Sequence, residues 1–301
     1  MDAYSCCFCK SSHLILKYKD QFHPSNKEIG SYDIYECSNC GSAVTNPVPD
    51  TEELKRLYNS FNGGIQSSTA ALRKESPLHA LYVQLLDHAI RKMKKKIAMD
   101  SVFTWVDIGA GNGTLSALIK QRFPNSMGVA IDFHERPALI EHLTGIDWIS
   151  ADFNQEDLTR VLNGRSFDLV ITLAVLEHVQ DPSIFITKLL PLIEPQGLLF
   201  LACPDYSSFA RKALKKKWPY FIPGEHINIP SIEGMGLMLE HALSIKSPKQ
   251  SKKFVKGIWV HYPLRYFFNY FGMRLIGNLL PPSFSLKLPA GALEAGIIND
   301  Q

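Results

Sequence analysis

Four thiols come in two pairs, Cys6-x-x-Cys9 and Cys37-x-x-Cys40, at the spacing of the paired knuckles of a tetrahedral zinc site. A complete thiolate set leaves no open coordination position, so a metal there would be structural. It would hold a segment too small to fold on its own core. Cys7 is then a spare thiol, and a swap with Cys6 stays open, as does the plainer reading of reduced, metal-free cysteines in a hairpin. The sixth cysteine, Cys203, stands apart in ACPD, where a nucleophilic role competes with ordinary burial in a core.

A second constellation is VDIGAGNGTL, residues 106–115, with Gly109, Gly111 and Gly113 at alternate positions. Glycine has no Cβ, so a ligand can approach such a backbone closely. A dinucleotide loop would need its third glycine at position 114, which is Thr114. Asp107 would repel a pyrophosphate but attract a ligand carrying an amine and a sulfonium. Asp132, in AIDF, and Asp152, in SADF, close the next two apolar runs. The first can accept from both hydroxyls of a ribose, and the second from an exocyclic adenine amine, with Phe153 against the ring. Two histidines are candidate general bases: His178 in LEHV, and His226 in PGEHI with Glu225 beside it to orient it. If a divalent metal assisted a deprotonation, Glu177, His178 and Glu225 would be the first ligands to test.

These residues need elements to position them. Strand-like text (LILKYK, YDIYE, SAVTN) separates and follows the cysteine pairs, and Asp50 or Thr51 can cap a helix after NPVPD. GGIQSSTA reads as a joint. Leu78, Leu81, Leu85, Leu86, Ala89, Ile90 and Met93 have helical spacing. From Ser101 strands and helices alternate, which implies a parallel sheet covered by helices. The expected strands are VFTWVDIG, MGVAIDF, IDWISADF, the start of FDLVITLAVLEHV, GLLFLACPD, LSIKSP and GALEAGIIND. RPALIEHL is expected as a helix, and the aromatic segment HYPLRYFFNYFGMRLIGNLL as a helix pair over the sheet or the site.

At 301 residues with a net charge of +3, the chain has room for one large domain and a small one, and its charge alone argues for neither nucleic acid nor membrane. Nothing at the N-terminus resembles a secretory signal, and clustered thiols fit a reducing compartment, so a cytoplasmic location is expected. Of three lysine-rich runs, RKMKKK, RKALKKK and KSPKQSKKFVK, the first reads as a solvated face. The second precedes WPYF and could meet a phosphate on an acceptor.

In order and spacing, VDIGAGNG, AIDF, SADF, FDLVITLAVLEHVQDP and EPQGLLFLACPD resemble the motifs of class I S-adenosylmethionine-dependent methyltransferases, over roughly residues 101–205. The resemblance implies an α/β, Rossmann-like doubly wound fold with a mostly parallel seven-stranded sheet. A zinc ribbon over 1–48 and a helical connector over 49–100 would precede the catalytic domain of 101–301, with an aromatic insertion at about 252–288. It implies S-adenosylmethionine held by Asp107, Gly109, Ala110, Gly111, Gly113, Asp132, Phe133, Asp152, Phe153 and Leu173. His178 would lie on the acceptor side, and structural zinc on Cys6, Cys9, Cys37 and Cys40. The ribbon, TNPVPDTEELKRLY and the WPYFIPGEHINIPS loop also resemble a bacterial subgroup associated with surface-polysaccharide or small-molecule biosynthesis. The expected activity is O-methylation of a sugar or related metabolite. The alternatives are an RNA methyltransferase that docks through its ribbon and, last, a non-enzymatic binding module. Peripheral membrane contact through the aromatic segment is a minority reading. LAVLEH stands where an enzyme acting on adenine or a glutamine amide would carry Asn-Pro-Pro-aromatic.

Overall fold

The computed structural model describes residues 5–24, 30–57, 77–246, 251–264, 268, 272–281 and 284–300. The joint expected at 63–70, most of the YFFNYF text and residues 247–250 of the third basic run lie outside them.

The larger sheet contains β4 (Thr104–Ile108), β5 (Met127–Asp132), β6 (Ile146–Ser150), β7 (Phe167–Leu173), β8 (Ile193–Pro204), β10 (Ser251–Pro263) and β11 (Ser285–Asn299). Their order is β10-β11-β8-β7-β4-β5-β6, with β4 parallel to both neighbours and β11 antiparallel to β8 and β10. The order reverses between β4 and β7, so the crevice outside their carboxyl ends is where a doubly wound sheet binds ligands. Parallel strands buried on both faces read as continuous apolar runs, as FDLVITL does. Alternate residues of β4 serve opposite cores. Trp105 packs with Leu86 and Ala89 of α2 (Pro77–Lys92) and with Ile119 of α3 (Thr114–Arg122). Val106 and Ile108 join the core that holds Phe185 of α6 (Pro182–Leu189) and Met235 and Leu239 of α8 (Ile232–Lys246).

The N-terminal segment forms β1 (Leu14–Phe22), β2 (Ser31–Cys37) and β3 (Ala43–Asn46), an antiparallel sheet whose fourth strand, β9 (Asn228–Ile229), comes from the PGEHINI loop of the larger body. Cys6, Phe8, Cys37 and Cys40 belong to the same core as Met235 and Leu239, so the small sheet is welded to the large one. At the seam, Ser231 donates its N–H to Ser42 Oγ (2.9 Å) and its hydroxyl to the Cys40 carbonyl. A helix follows over 51–57, capped by Asp50, whose carboxylate accepts from the Glu53 N–H at 2.8 Å.

Four expectations need correction. LSIKSP does not form the expected strand: residues 243–246 finish α8, and the next strand starts at Ser251 and runs into the stretch assigned to the aromatic insertion. The helix expected at RPALIEHL is one turn, Ala138–Glu141, because Arg136 supplies side-chain donors to the carbonyls of Ile140 and Leu143. The final strand begins at Ser285, well before GALEAG. The aromatic segment does not begin as helix: residues 261–263 belong to β10. Among its described residues the helix Arg274–Leu279 leaves Leu275 and Leu279 exposed.

Gly234 sits at the seam, and a Cβ there would lie 2.1 Å from Ser42 Oγ and 3.1 Å from Cys40 Sγ. Gly234→Ala is therefore expected to destabilise the protein by about 1–3 kcal/mol through overpacking. Urea denaturation of the two proteins measures it, and unchanged stability would mean the seam is loosely packed.

Candidate functional site

The glycine loop joins β4 to α3. Gly109, Gly111 and Gly113 all have positive φ (76°, 55° and 75°), the left-handed region that favours glycine. Two of them are also packing sites: a Cβ on Gly109 would come within 2.3 Å of Val175, and one on Gly113 within 2.8 Å of Ile140. Nothing lies within 4 Å of a Cβ on Gly111, so the middle of the loop faces open space. Asp132, at the end of β5, turns one oxygen to the Gly111 N–H (2.8 Å) and the other to the backbone and ring nitrogens of His134 (3.1 and 2.8 Å). Phe133 is partly exposed, with its ring 3.6 Å from that of His134. Ala110 and Leu173 are buried. Asp152 caps its own turn through the Asn154 N–H (3.0 Å), and Phe153 packs on Phe185.

Asp107 is placed differently from its expected direct pairing with a ligand amine. It is buried, accepts from Ser116 Oγ at 2.7 Å, and is pushed up to about 7 by burial, partly offset by that hydroxyl and reinforced by the charge of Asp132. A cation in the crevice would favour its ionised form.

The second half of the site follows β7. Val175, which covers Gly109, is three residues before His178, so loop and histidine are packed as neighbours. The His178 Nδ1–H donates to the Glu225 carbonyl (3.1 Å) and that of His226 to the Tyr220 carbonyl (2.8 Å). Backbone acceptors thereby fix both neutral tautomers and leave each Nε2 with its lone pair. The two rings meet edge to face at 4.7 Å. Burial holds both imidazoles low, His226 at about 4, and each lies near another imidazole whose charge would oppose its own. Glu177 completes the cluster: it, His178 and His226 offer ligand atoms within 4.8 Å of one another. Glu177 is 1% exposed, one oxygen has no hydrogen-bond partner, and burial pushes its carboxyl up to about 8.

Two roles expected of Glu225 are corrected. Its carboxylate does not orient His226 or join Glu177 as a ligand; it pairs with Nε2 of the buried His23 at 3.2 Å. Its backbone carbonyl, not its side chain, meets His178. Two participants escaped sequence reasoning. His23 comes from the end of the cysteine-bearing sheet, and nothing in its local text marks it. Tyr82 of α2 has its phenol pushed up to about 12, by loss of water first and then by the charges of Asp107 and Glu177. It adjoins Leu81 on the helical stripe, a signal that reads as packing. Cys203 is buried, and burial, Glu177 and Asp205 all raise its thiol, which disfavours a nucleophile.

The cysteines expected to gather do so. Sγ of Cys6 lies 3.7 Å from Cys40 and Sγ of Cys9 lies 3.5 Å from Cys37, with all four sulfurs within 4.8 Å. Tetrahedral zinc with Zn–S bonds of about 2.3 Å would set its sulfurs about 3.8 Å apart, so the set fits that ion. Cys7 points elsewhere, donating to Asn228 Oδ1 at 3.3 Å. The second basic run serves the seam: Arg211 pairs with Glu36 (3.2 Å) and lies over Tyr206, and Lys216 lies over Tyr18. The first run holds ion pairs to Asp300 and Asp168.

A family model described as a methyltransferase domain matches residues 73–242. The ubiquinone biosynthesis O-methyltransferase of Pseudomonas aeruginosa (strain UCBPP-PA14) is 33% identical over 133 residues, 42% of this chain and 53% of that protein. That of Dechloromonas aromatica (strain RCB) is likewise 33% identical over the same shares. The match thus spans about half the length of these curated relatives. Among solved structures, the plantazolicin methyltransferase BpumL, in complex with a monoazolic desmethyl analogue and S-adenosylhomocysteine, superposes with a TM-score of 0.55 at 13% identity. That match covers 82% of this chain and 94% of the other, and it is a likeness of fold.

The buried Glu177 makes a pH prediction. Its folded pKa, near 8, exceeds the ordinary 4.5, so the native state holds a proton that the unfolded chain releases. Stability from this group is complete below pH 4.5 and is lost as pH rises through 8. Glu177→Gln, which mimics the protonated form, should melt close to wild type at pH 5 and increasingly above it toward pH 9. Parallel melting curves across that range would contradict it.

Proposed function

We infer that this chain, which belongs to the methyltransferase domain family, transfers the methyl group of S-adenosylmethionine to a hydroxyl of a small polar acceptor, a sugar or related metabolite. The observation that carries the reading is the convergence of two neutral imidazoles and a buried carboxyl within 4.8 Å, packed through Val175 against the glycine loop. The relatives named as O-methyltransferases support oxygen as the accepting atom.

The residues fit the cofactor. Gly111 presents open backbone, Asp132 is a buried carboxylate suited to a ribose, and Asp107 gains from a cation nearby. Ala110, Gly109, Gly113 and Leu173 would shape the floor of the crevice, and Phe133, Asp152 and Phe153 would face the base. When bound, S-adenosylmethionine supplies an electrophilic methyl on a sulfonium. His226 Nε2 takes the acceptor's hydroxyl proton as the oxygen attacks, and the positive charge ends on the imidazolium. His178 keeps the acceptor aligned against His226, and its Nδ1 bond to Glu225 stops it from turning away. Glu177, once ionised, stabilises the imidazolium. Activity should therefore rise with pH through about 8, the range to which burial has moved Glu177.

Cys6, Cys9, Cys37 and Cys40 would hold structural zinc, tying the small sheet to the loop that carries His226. Protein purified without chelator should contain stoichiometric zinc by elemental analysis and lose it in Cys40→Ser. Metal-free, fully folded protein would refute this assignment. The RNA reading gains less support, because Arg211 and Lys216 are spent on the seam with the ribbon.

Asp132→Ala should abolish cofactor binding by calorimetry, and affinity within a few-fold of wild type would refute the ribose role. His226→Gln should lower kcat by about 10²–10⁴-fold while leaving cofactor affinity nearly unchanged. The pH limb near 8 should vanish in Glu177→Gln. Labelled methyl traced from S-adenosylmethionine into separated small-molecule, lipid and RNA pools tests the acceptor class. Label confined to RNA would overturn it.

A further inference from the structure

The hairpin of β10 and β11 is longer than the sheet needs. The last pairing of β11 with β8 is Ala292 with Pro204, but β10 and β11 stay paired from Trp259–Pro289 out to Pro263–Ser285. This arm therefore projects past the carboxyl edge of the sheet, the edge that carries the glycine loop. Residues opposite each other share a face and successive residues alternate, so Trp259 and Leu286 lie on opposite faces. They are 53% and 51% exposed, so both faces of the arm stand open among the described residues. Beyond it, Leu275 and Leu279 lie one helical turn apart on one face and are 85% and 84% exposed, the highest values among the large apolar side chains described. Phe284 adds a further exposed ring.

Charge selects the occupant. Residues 241–293 hold eight of the chain's 32 Lys and Arg and none of its 29 Asp and Glu, so a +8 segment sits on a remainder of −5. Along the inner half, Lys252, Lys253 and Lys256 pair with Asp300, Glu240 and Glu294. In sequence, the stretch from the end of β10 into the first residues of β11 contains Arg265, Arg274 and Lys287 and no carboxylate. A second copy of the arm would oppose cation to cation. RNA would leave the aliphatic leucines unused. A bilayer with anionic headgroups satisfies both halves of the pattern, aliphatic and aromatic side chains entering the interface while the cations meet phosphates.

We propose that the β10–β11 arm is a peripheral docking surface for anionic phospholipid bilayers, seating the protein with its site edge toward the membrane. The orientation rests on the site described above; the docking does not.

The test is co-sedimentation of the full chain with phosphatidylcholine vesicles, with and without phosphatidylglycerol. Binding should be at least about tenfold stronger to the anionic vesicles and weaken as salt rises. Leu275→Asp with Leu279→Asp should remove it while the melting temperature holds. Lys287→Glu, which spares the apolar contacts, should weaken it. Equal partition to both vesicle types, or none, would overturn the proposal. So would concentration-dependent dimers abolished by the leucine substitutions, or retention on bulk RNA without vesicle binding. Because vesicle binding is read without methyl transfer, its failure would leave the proposed activity standing, and the reverse holds too.

Discussion

Ile227 is held from both sides, and the rest of the site depends on it. Its N–H donates to the Glu177 carbonyl at 2.7 Å, and its own carbonyl accepts from the Thr45 N–H at 2.9 Å. One residue thus ties the turn that presents Glu177 and His178 to the third strand of the cysteine-bearing sheet. His226 precedes it, and Asn228, which follows it, donates to the Val179 carbonyl at 2.9 Å. These are buried backbone bonds, whose loss would strand polar groups away from water. The small sheet is therefore part of the frame of the site rather than an appendage.

That frame lets ionisable groups be buried in adverse states. Asp107 and Glu177 are raised, and His178 and His226 lowered, each with burial as the first cause. At neutral pH Glu177, His178 and His226 are therefore held neutral, while Asp107, at about 7, is partly ionised. A cationic ligand would shift the proton balance of Asp107 and Glu177 toward the ionised carboxylates. His23 shows how far the support reaches. It is buried in the N-terminal segment, yet its ring holds the carboxylate of Glu225, whose carbonyl fixes His178.

Where reading from sequence stopped short, the cause was long range. Glu225 stands next to His226 in the chain, which suggested that it orients that ring. The strap turns successive side chains apart, so Glu225 meets a partner 202 residues away. The RKALKKK run could not be told from a solvated face, because its acidic and aromatic partners lie on strands far away in sequence. The aromatic segment has enough apolar residues for a packed helix pair. Its first residues, 261–263, are instead drawn out as strand because β11 offers a pairing edge beyond β8.

The sequence by itself determined the sheet's strand–helix alternation, the glycine loop, the carboxylates closing successive strands and the gathering of Cys6, Cys9, Cys37 and Cys40. The glycine loop and each Cys-x-x-Cys pair are written in spacings of two or three residues that local backbone geometry converts directly into position. Tertiary structure decided the pairing of β9 with β3, the tautomers of His178 and His226, the protonation of Glu177 and the projection of the arm. Those depend on which groups meet across the fold and on how much water is excluded between them, and neither quantity has a signature in neighbouring residues.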